Sequence, residues 1–273
     1  MQRTQRIPDV SIVIPCYNER ARLPETITQL RAYVDGRLDV VEVIVVDNGS
    51  SDGTAAIAAE LLRPLGEWGV VLANRENHGK GAAVRQGMLA AGGRVVLFTD
   101  ADLSTPIEEL VKLEQALAAG ADVAIGSRAV DRSLLEVPQG QGRDVAGRLF
   151  NLVARALATP GIRDTQCGFK LFRTDAAQQI CTRQRLNGFG FDVELIAIAR
   201  HLGLAVAEVP VRWRNHPDSH VTLLRGAKAF LDPLRVRAAL LMRRYGPRGY
   251  ATRRPSRSIS DAVPGRSGAA SPS

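Results

Sequence analysis

Five short apolar runs recur along the first half of the chain: "VSIVIP" (10–15), "VVEVIVVDNGS" (40–50), "GVVLANRE" (69–76), "RVVLFTDAD" (94–102) and "ADVAIGSR" (121–128). They are rich in Val and Ile and do not alternate with polar residues. Strands of that kind are buried on both faces, as in a mostly parallel sheet. Between them lie stretches with helical spacing of apolar positions, at 19–36, 52–65, 79–93 and 106–120. Parallel neighbours need a crossover connection, and these helices supply it. Four successive βα units predict an α/β fold, a doubly wound, Rossmann-like, mostly parallel sheet with helices on both faces.

From residue 129 a polar loop leads into a helix whose apolar face is expected at Leu149, Leu152, Val153 and Leu157. Short strands and two helices follow, and they are expected to cover the crevice and complete the site. Ligands of open α/β sheets bind beyond the carboxyl ends of the strands. The segments there are Pro15-Cys16-Tyr17-Asn18-Glu19, Asp47-Asn48-Gly49-Ser50, Asn74 to Lys80, and Thr99 to Ser104. One sheet edge thus gathers acids, amides and small polar groups.

At 273 residues with 45% hydrophobic content, the chain can bury a substantial core. Its 3 cysteines, Cys16, Cys167 and Cys181, have neither disulfide-framework nor zinc spacing. They read as reduced thiols of a cytoplasmic protein. No stretch has the roughly 18 apolar residues of a membrane span, and the N-terminus lacks a signal-peptide core. The net charge of +8 is uneven: from Arg212 onward 13 Lys/Arg face 3 Asp/Glu, leaving −2 for residues 1–211.

The most telling stretch is "VVLFTDADLSTP" (95–106), in which a buried strand ends in Asp100-Ala101-Asp102. Two carboxylates one residue apart repel unless a Lys or Arg, a shared proton or a metal ion sits by them. Strand alternation puts both on one side, where hard oxygen ligands suit Mg²⁺ or Mn²⁺ completed by phosphate oxygens. The implied ligand is a nucleotide or other diphosphate. Asp102 could instead cap the helix near Pro106, although Ser104 with Pro106 in the first turn fills that role. Asp47, at the end of another buried strand, can accept from a base imide or a ribose hydroxyl. In "NHGKGAAVRQG", Gly79 and Gly81 flank Lys80 at a helix start, an arrangement suited to an anion. The GxxxxGK[ST] spacing is absent, which argues against ATP hydrolysis.

Seven ordered motifs, "VSIVIPCYNER", "VIVVDNGSSDGT", "NHGKGAAVRQGM", "FTDADLSTP", "GSR", "DTQCGFKLF" and "GFGFDVELI", give the chain a resemblance to glycosyltransferase family 2 over residues 9–225. More narrowly, it resembles the branch of dolichyl-phosphate glucosyltransferases and polyprenyl-phosphate mannosyltransferases. The resemblance implies a GT-A domain over 1–225 and inverting transfer of a hexose from a nucleotide sugar to a polyprenyl or dolichyl phosphate. Glucose from UDP-glucose is the expected donor, with Mg²⁺ or Mn²⁺ as cofactor. By the same resemblance, Pro15, Tyr17 and Glu19 line the base and ribose, and Asp47 holds the uracil or ribose. Val45, Lys80 and Ala101 join the substrate-binding set. Asp100 and Asp102 form the Asp-x-Asp motif for ribose and metal, with Ser104 beside them.

Arg128 is expected to face the sugar or the acceptor phosphate, and Asp164 and Gln166 the acceptor side. Lys170 is either part of that side or a solvated charge. A phosphate acceptor needs no general base, whereas a sugar hydroxyl would need one, Asp164 or Asp192. Asp192 and Glu194 also suit purely structural roles at a helix start. His220 stands where related enzymes carry a lysine, so Arg212, Arg214 or Arg225 would compensate at the acceptor phosphate.

Residues 226–246 interleave apolar and basic positions, as amphipathic helices on an anionic membrane do, and 247–273 has the composition of a disordered tail. These features predict peripheral attachment to the cytoplasmic face and leave room for a membrane-embedded partner protein. The other readings are a GDP-mannose donor, a soluble hydroxyl acceptor, or a basic nucleic-acid-binding protein. With 5% aromatic residues and its basic charge gathered in the tail, the chain lacks the stacking platforms of specific nucleic-acid binding.

Overall fold

The computed structural model describes residues 7–137, 141–214 and 231–247. Nine strands are formed among the described residues: β1 (Val10–Cys16), β2 (Val41–Asn48), β3 (Gly69–Asn74), β4 (Val95–Thr99), β5 (Val123–Ser127), β6 (Leu135–Val137), β7 (Phe169–Arg173), β8 (Val206–Pro210) and β9 (Trp213–Arg214). The helices are α1 (Leu23–Asp35), α2 (Thr54–Leu62), α3 (Lys80–Ala90), α4 (Leu110–Ala118), α5 (Gln141–Leu157), α6 (Thr174–Cys181), α7 (Phe191–His201) and α8 (Asp232–Leu241).

Seven strands make one sheet in the order β3-β2-β1-β4-β7-β5-β8. Neighbours are parallel except at β7, which runs antiparallel to both β4 and β5. The apolar runs do not alternate because each strand feeds two cores. Ile12, Ile14, Val43 and Val45 point into the layer under α1, α2 and α4. Val13, Ile44, Val46, Val96 and Phe98 point into the layer under α3, α6 and α7. A third cluster joins α5, α7 and α8 through Phe150, Ala154, Val193 and Val236.

The helix boundaries differ from the periodicity where local backbone intervenes. The chain does not become helical at residue 19, because Asn18 is left-handed at φ 56° and α1 starts beside Pro24. Pro64 falls in a 3₁₀ stretch, Arg63–Trp68, that ends α2 early. The expected apolar face of α5 is corrected too. Phe150, Ala154 and Ala158 are buried, where small residues let the neighbouring helices approach, while Leu149 and Leu152 face outward. "FKLFR" is a buried strand inside the main sheet, not a cover over the crevice. Among the described residues no helix is long and apolar enough to cross a membrane. His220, Arg225 and residues 248–273 of the expected tail lie outside the described residues.

The contact between α3 and the sheet depends on Gly87. A Cβ there would lie 2.3 Å from Val13 Cγ1 and 2.9 Å from Val46 Cγ2. Gly87→Ala is therefore expected to destabilise by about 1–3 kcal/mol, despite alanine's higher helix propensity. Thermal unfolding should show a midpoint lower by roughly 2–4 °C per kcal/mol. A raised midpoint would contradict this packing.

Candidate functional site

The parallel strands β1, β2, β4 and β5 leave the sheet along one edge. Because β7 is antiparallel, the chain enters it at that same edge, so the loop 164–168 lies beside the end of β4. Thr99 pairs with Phe169, and Asp100 N donates to Gly168 O at 3.0 Å. The approach is so close that a Cβ on Gly168 would fall 2.1 Å from Asp100 Oδ2.

The β1 and β2 ends are tied together. Asn18 Oδ1 accepts from Ser51 N at 3.0 Å, Asn18 N donates to Ser50 Oγ at 2.8 Å, and Glu19 N donates to Thr54 Oγ1 at 2.9 Å. These bonds set Tyr17 outward at 43% exposure, with Pro15 half-buried and the Glu19 carboxylate paired to Arg22 at 2.9 Å. Asp47 is 3% exposed and its Oδ2 accepts from Ser50 N at 3.4 Å. Its Oδ1 is buried without a hydrogen-bond partner. Such an orphan is costly unless a ligand supplies a donor. Val45 does not join this surface: its side chain is fully buried in the core, because strand alternation turns it toward α1 and α2.

The helix-terminus anion site expected at Gly79–Gly81 is also corrected. Gly81 N and Ala82 N donate to Asn187 O at 2.7 and 3.3 Å, and Ala83 N donates to Gly79 O at 3.2 Å. The amides of Gly81, Ala82 and Ala83 are thus satisfied within the chain. Lys80 instead reaches the acidic pair, with Nζ 2.7 Å from Asp100 Oδ1. Burial opposes its charge, but Asp100 and Asp192 outweigh that and raise its pKa.

Asp102 Oδ1 accepts from Ser104 N at 2.9 Å, closing a tight turn around Leu103, which is held at φ 43°. Neither Ser104 nor Asp102 caps the next helix, whose 3₁₀ start at Ile107–Glu109 follows Pro106 with no side-chain cap. Ala101 contributes its carbonyl, which accepts from Thr26 Oγ1.

The donor set suits a hard divalent cation: two carboxylates on one short turn, with Asp100 already drawing a positive charge. Among the described residues no third His, Cys, Asp or Glu completes a metal cluster. An ion held here by Asp102 and Asp100 would take its other ligands from a diphosphate and water.

At the end of β5, Arg128 is clamped by Asp164. Nε and Nη2 donate to Oδ2 and Oδ1 at 2.7 and 2.9 Å, and Arg128 N donates to Oδ2 at 3.0 Å. Gln166 N donates to Oδ1 at 3.1 Å, so the four lone-pair sites of Asp164 are all taken. Although burial opposes it, Arg128 holds the Asp164 carboxyl down at about 2. Asp164 positions Arg128, and no lone pair is left to take a proton from a hydroxyl. The guanidinium lies 5.4 Å from the Trp213 ring centroid. Gln166 Nε2 is buried without a partner.

Lys170 is wholly buried, not solvated, and donates to Cys167 O at 2.6 Å and to Asp192 Oδ1. Burial raises the Asp192 carboxyl, against the pull of Lys170 and Lys80. Lys80 and Lys170 each lie 5.7 Å from the Phe98 ring centroid, so one aromatic ring adjoins both cations. Glu194 accepts from Arg185 N, from Leu186 N at 2.7 Å and from Tyr245 Oη at 2.8 Å, a structural role. Arg212 and Arg214, expected at the substrate, are engaged by acids: Arg212 by Glu109 at 2.5 Å, and Arg214 by Glu136.

Glu208, Asn151 and Gly168 were not singled out in the sequence. Glu208 accepts from Ser127 Oγ at 2.7 Å and Asp164 N at 2.8 Å, and Asn151 Oδ1 accepts from Thr165 N at 3.1 Å. Only the pairing of β5 with β8 reveals the first; Gly168 lies within the motif "DTQCGFKLF", and no motif signals Asn151.

A mostly parallel sheet with paired aspartates and a clamped arginine at its strand ends defines a group-transfer enzyme of the GT-A type. Residues 11–181 match the family described as Glycosyl transferase family 2, and the chain belongs to that family. It is 38% identical to the dolichyl-phosphate beta-glucosyltransferase of Drosophila melanogaster, over 78% of this chain and 69% of that one. With the Homo sapiens dolichyl-phosphate beta-glucosyltransferase it shares 35% identity over 75% of this chain and 67% of the relative.

The fold also resembles mannosyl-3-phosphoglycerate synthase from Rubrobacter xylanophilus, at TM-score 0.63 and 22% identity, covering 86% of this chain and 74% of that one. Glucosyl-3-phosphoglycerate synthase from Mycobacterium tuberculosis, crystallised with Mn²⁺ and UDP-glucose, matches at TM-score 0.55 and 20% identity, covering 88% and 80%.

Asp164→Asn removes the charge opposite Arg128 and is expected to cost about 3 kcal/mol near neutral pH. A carboxyl at about 2 in the folded state and about 3.9 unfolded gives stability that is complete above about pH 5 and lost as pH falls toward 2. Denaturant titrations of both proteins should therefore converge through that window. A pH-independent difference would refute the clamp.

Proposed function

We propose that the protein transfers a glucosyl residue from UDP-glucose to the phosphate of a polyprenyl or dolichyl phosphate, with inversion at the anomeric carbon. The donor and acceptor follow the names of the relatives, which match across most of the chain. The observation that carries the acceptor class is the fate of the two carboxylates expected as bases. Asp164 is saturated by Arg128 and Gln166, and Asp192 is buried against Lys170. An acceptor that must lose a proton would be poorly served, whereas a phosphate monoester arrives as an anion.

In this reading Asp47 accepts from the uracil or ribose, and Tyr17, Pro15 and Glu19 border the nucleoside. Asp100 and Asp102 would hold Mg²⁺ or Mn²⁺, which when bound would neutralise charge on the leaving diphosphate. Arg128 faces the acceptor phosphate, kept in one rotamer by the Asp164 fork, so little freedom remains to be lost on binding. A phosphate oxygen attacks C1, the C1–O bond to UDP breaks, and UDP leaves with the electron pair. Lys80 sits beside Asp100, and its charge adds to the stabilisation of that leaving group.

The test is UDP release by purified protein with Mn²⁺ or Mg²⁺, UDP-glucose and a short-chain polyprenyl phosphate, with GDP-mannose as a parallel donor. Release is expected to need UDP-glucose, acceptor and metal together. Asp102→Ala should lower turnover about a hundredfold or more while circular dichroism stays native. Full activity in that variant, or in chelator, would defeat the metal assignment. Turnover on a hydroxyl acceptor but not on the lipid phosphate would defeat the acceptor.

A further inference from the structure

Past the end of β8 the chain forms a short strap, residues 211–214, that runs between the Arg128 clamp and the acidic turn. Each of its residues is pinned. Val211 N donates to Ser127 O at 3.3 Å, next to Arg128, and the Val211 side chain is fully buried beside Gly126. Arg212 donates from N and Nε to Glu109 at 3.3 and 2.5 Å. The Trp213 ring lies against the Arg128 guanidinium, its centroid 5.4 Å from Cζ, and Trp213 pairs with Leu135 of β6. Arg214 N donates to Ser104 O at 2.8 Å. The side chains alternate as in any strand: Val211 and Trp213 are buried, while Arg212 and Arg214 reach to Glu109 and Glu136.

These contacts give Trp213 a task that the Asp164 fork leaves undone. Asp164 grips Arg128 along one edge, through Nε and Nη2, and a two-point grip leaves the guanidinium plane free to tilt about that edge. An aromatic ring against the face stops the tilt and is itself attracted to the cation. The N–H donors outside the fork are then aimed by fork and ring together. The strap also braces the donor side. Ser104 N donates to Asp102 Oδ1 at 2.9 Å while Ser104 O accepts from Arg214 N, so the turn that presents Asp102 is held from both sides of one residue. One strap therefore reaches both halves of the site, although β7 separates β5 from β4 in the sheet.

We propose that Trp213 is a positioning residue for the transfer: it holds the Arg128 guanidinium plane at the angle the acceptor meets, on a strap anchored at the Asp102 turn. Trp213 touches no reacting atom and acts through Arg128. The proposal rests on the assignment of Arg128 to the acceptor, whichever acceptor that is.

The test compares the wild type with Trp213→Leu, which keeps apolar bulk without an aromatic face, and with Trp213→Phe, which restores a face. With UDP-glucose, Mn²⁺ and short-chain polyprenyl phosphate, Trp213→Leu should raise the KM for the acceptor about tenfold, the scale of one lost cation–π contact. Both kcat and the KM for UDP-glucose should stay within about twofold of the wild type, the pattern of lost acceptor binding. Trp213→Phe should recover most of the acceptor KM. A merely structural role would lower the folded fraction without selecting one substrate.

The second readout is spectroscopic. The chain has 2 tryptophans, Trp68 and Trp213. Trp68 ends the 3₁₀ stretch just before β3, at the end of that strand away from the site, so Trp68→Phe leaves Trp213 as the single reporter. Its emission should change when Arg128→Leu removes the guanidinium. It should change again when short-chain polyprenyl phosphate is added to protein with Arg128 intact.

An acceptor KM that Trp213→Leu leaves unchanged, or that Trp213→Phe fails to restore, would overturn the positioning role. So would equal rises in both KM values, or emission indifferent to Arg128→Leu. If polyprenyl phosphate neither turns over nor alters the emission, while a hydroxyl acceptor shows the same split between its KM and kcat, the lipid-phosphate reading fails and the role of Trp213 stands.

Discussion

Because β7 runs against its neighbours, the chain arrives at the catalytic edge just where β4 leaves it. That reversal brings Asp100 and Gly168 into backbone contact and places Asp164 and Gln166 within reach of Arg128 at the end of β5. With β7 parallel, the same residues would emerge on the opposite side of the sheet, and the acidic pair and the arginine clamp would belong to no common site. The cost is that Gly168 can carry no side chain. Glu208 on β8 then fixes the turn before Asp164 from the far side, and Asn151 on α5 fixes Thr165. Four elements, β4, β5, β8 and α5, thus hold one loop.

Charge inside this edge is arranged in pairs. Lys80 faces Asp100, Lys170 faces Asp192, and Arg128 faces Asp164. Ions removed from water are tolerated only when partnered, and removing one member of a buried pair costs more than the pair contributes. Asp102 differs, since one of its oxygens serves only a local turn. The acidic pair is therefore divided: Asp100 is bound into the protein's own charge lattice, and Asp102 sits at its rim. A cation arriving with a diphosphate would join a site whose other charges are already balanced, and would not need to offset an unpaired cluster.

The parallel sheet was legible because doubly buried strands leave unbroken Val and Ile runs, and β1, β2, β4 and β5 all fall within such runs. The acidic turn and Asp47 were legible as polar residues that follow them directly. What escaped notice depends on tertiary register. Nothing in "GFKLFR" distinguishes a covering strand from one wedged between β4 and β5, since a short apolar segment carries no direction. Lys170 was ambiguous because a lone lysine reveals neither its depth nor its partner. The helical period of α5 was correct, but its phase was not. Phe150, Ala154 and Ala158 face inward, Val153 and Leu157 are half-buried at the edge, and Leu149 and Leu152 face outward, so the buried face is rotated from the expected one. Arg212 and Arg214 were placed at the substrate by sequence position, whereas Glu109 and Glu136, brought near by packing, take their charge.

The saturation of Asp164 and the burial of Asp192 against Lys170 bear on the same chemistry. A site without a free base suits an acceptor that is already an anion, and an anion with a long apolar tail stays at a membrane surface. An enzyme for such an acceptor must keep its catalytic edge near that surface without burying it. In the proposed function the donor would enter at the ends of β1 and β2, and the acceptor on the far side of the Asp100 turn, beside Arg128. Arg128, just past the end of β5, is separated from the Asp100 turn at the end of β4 by β7.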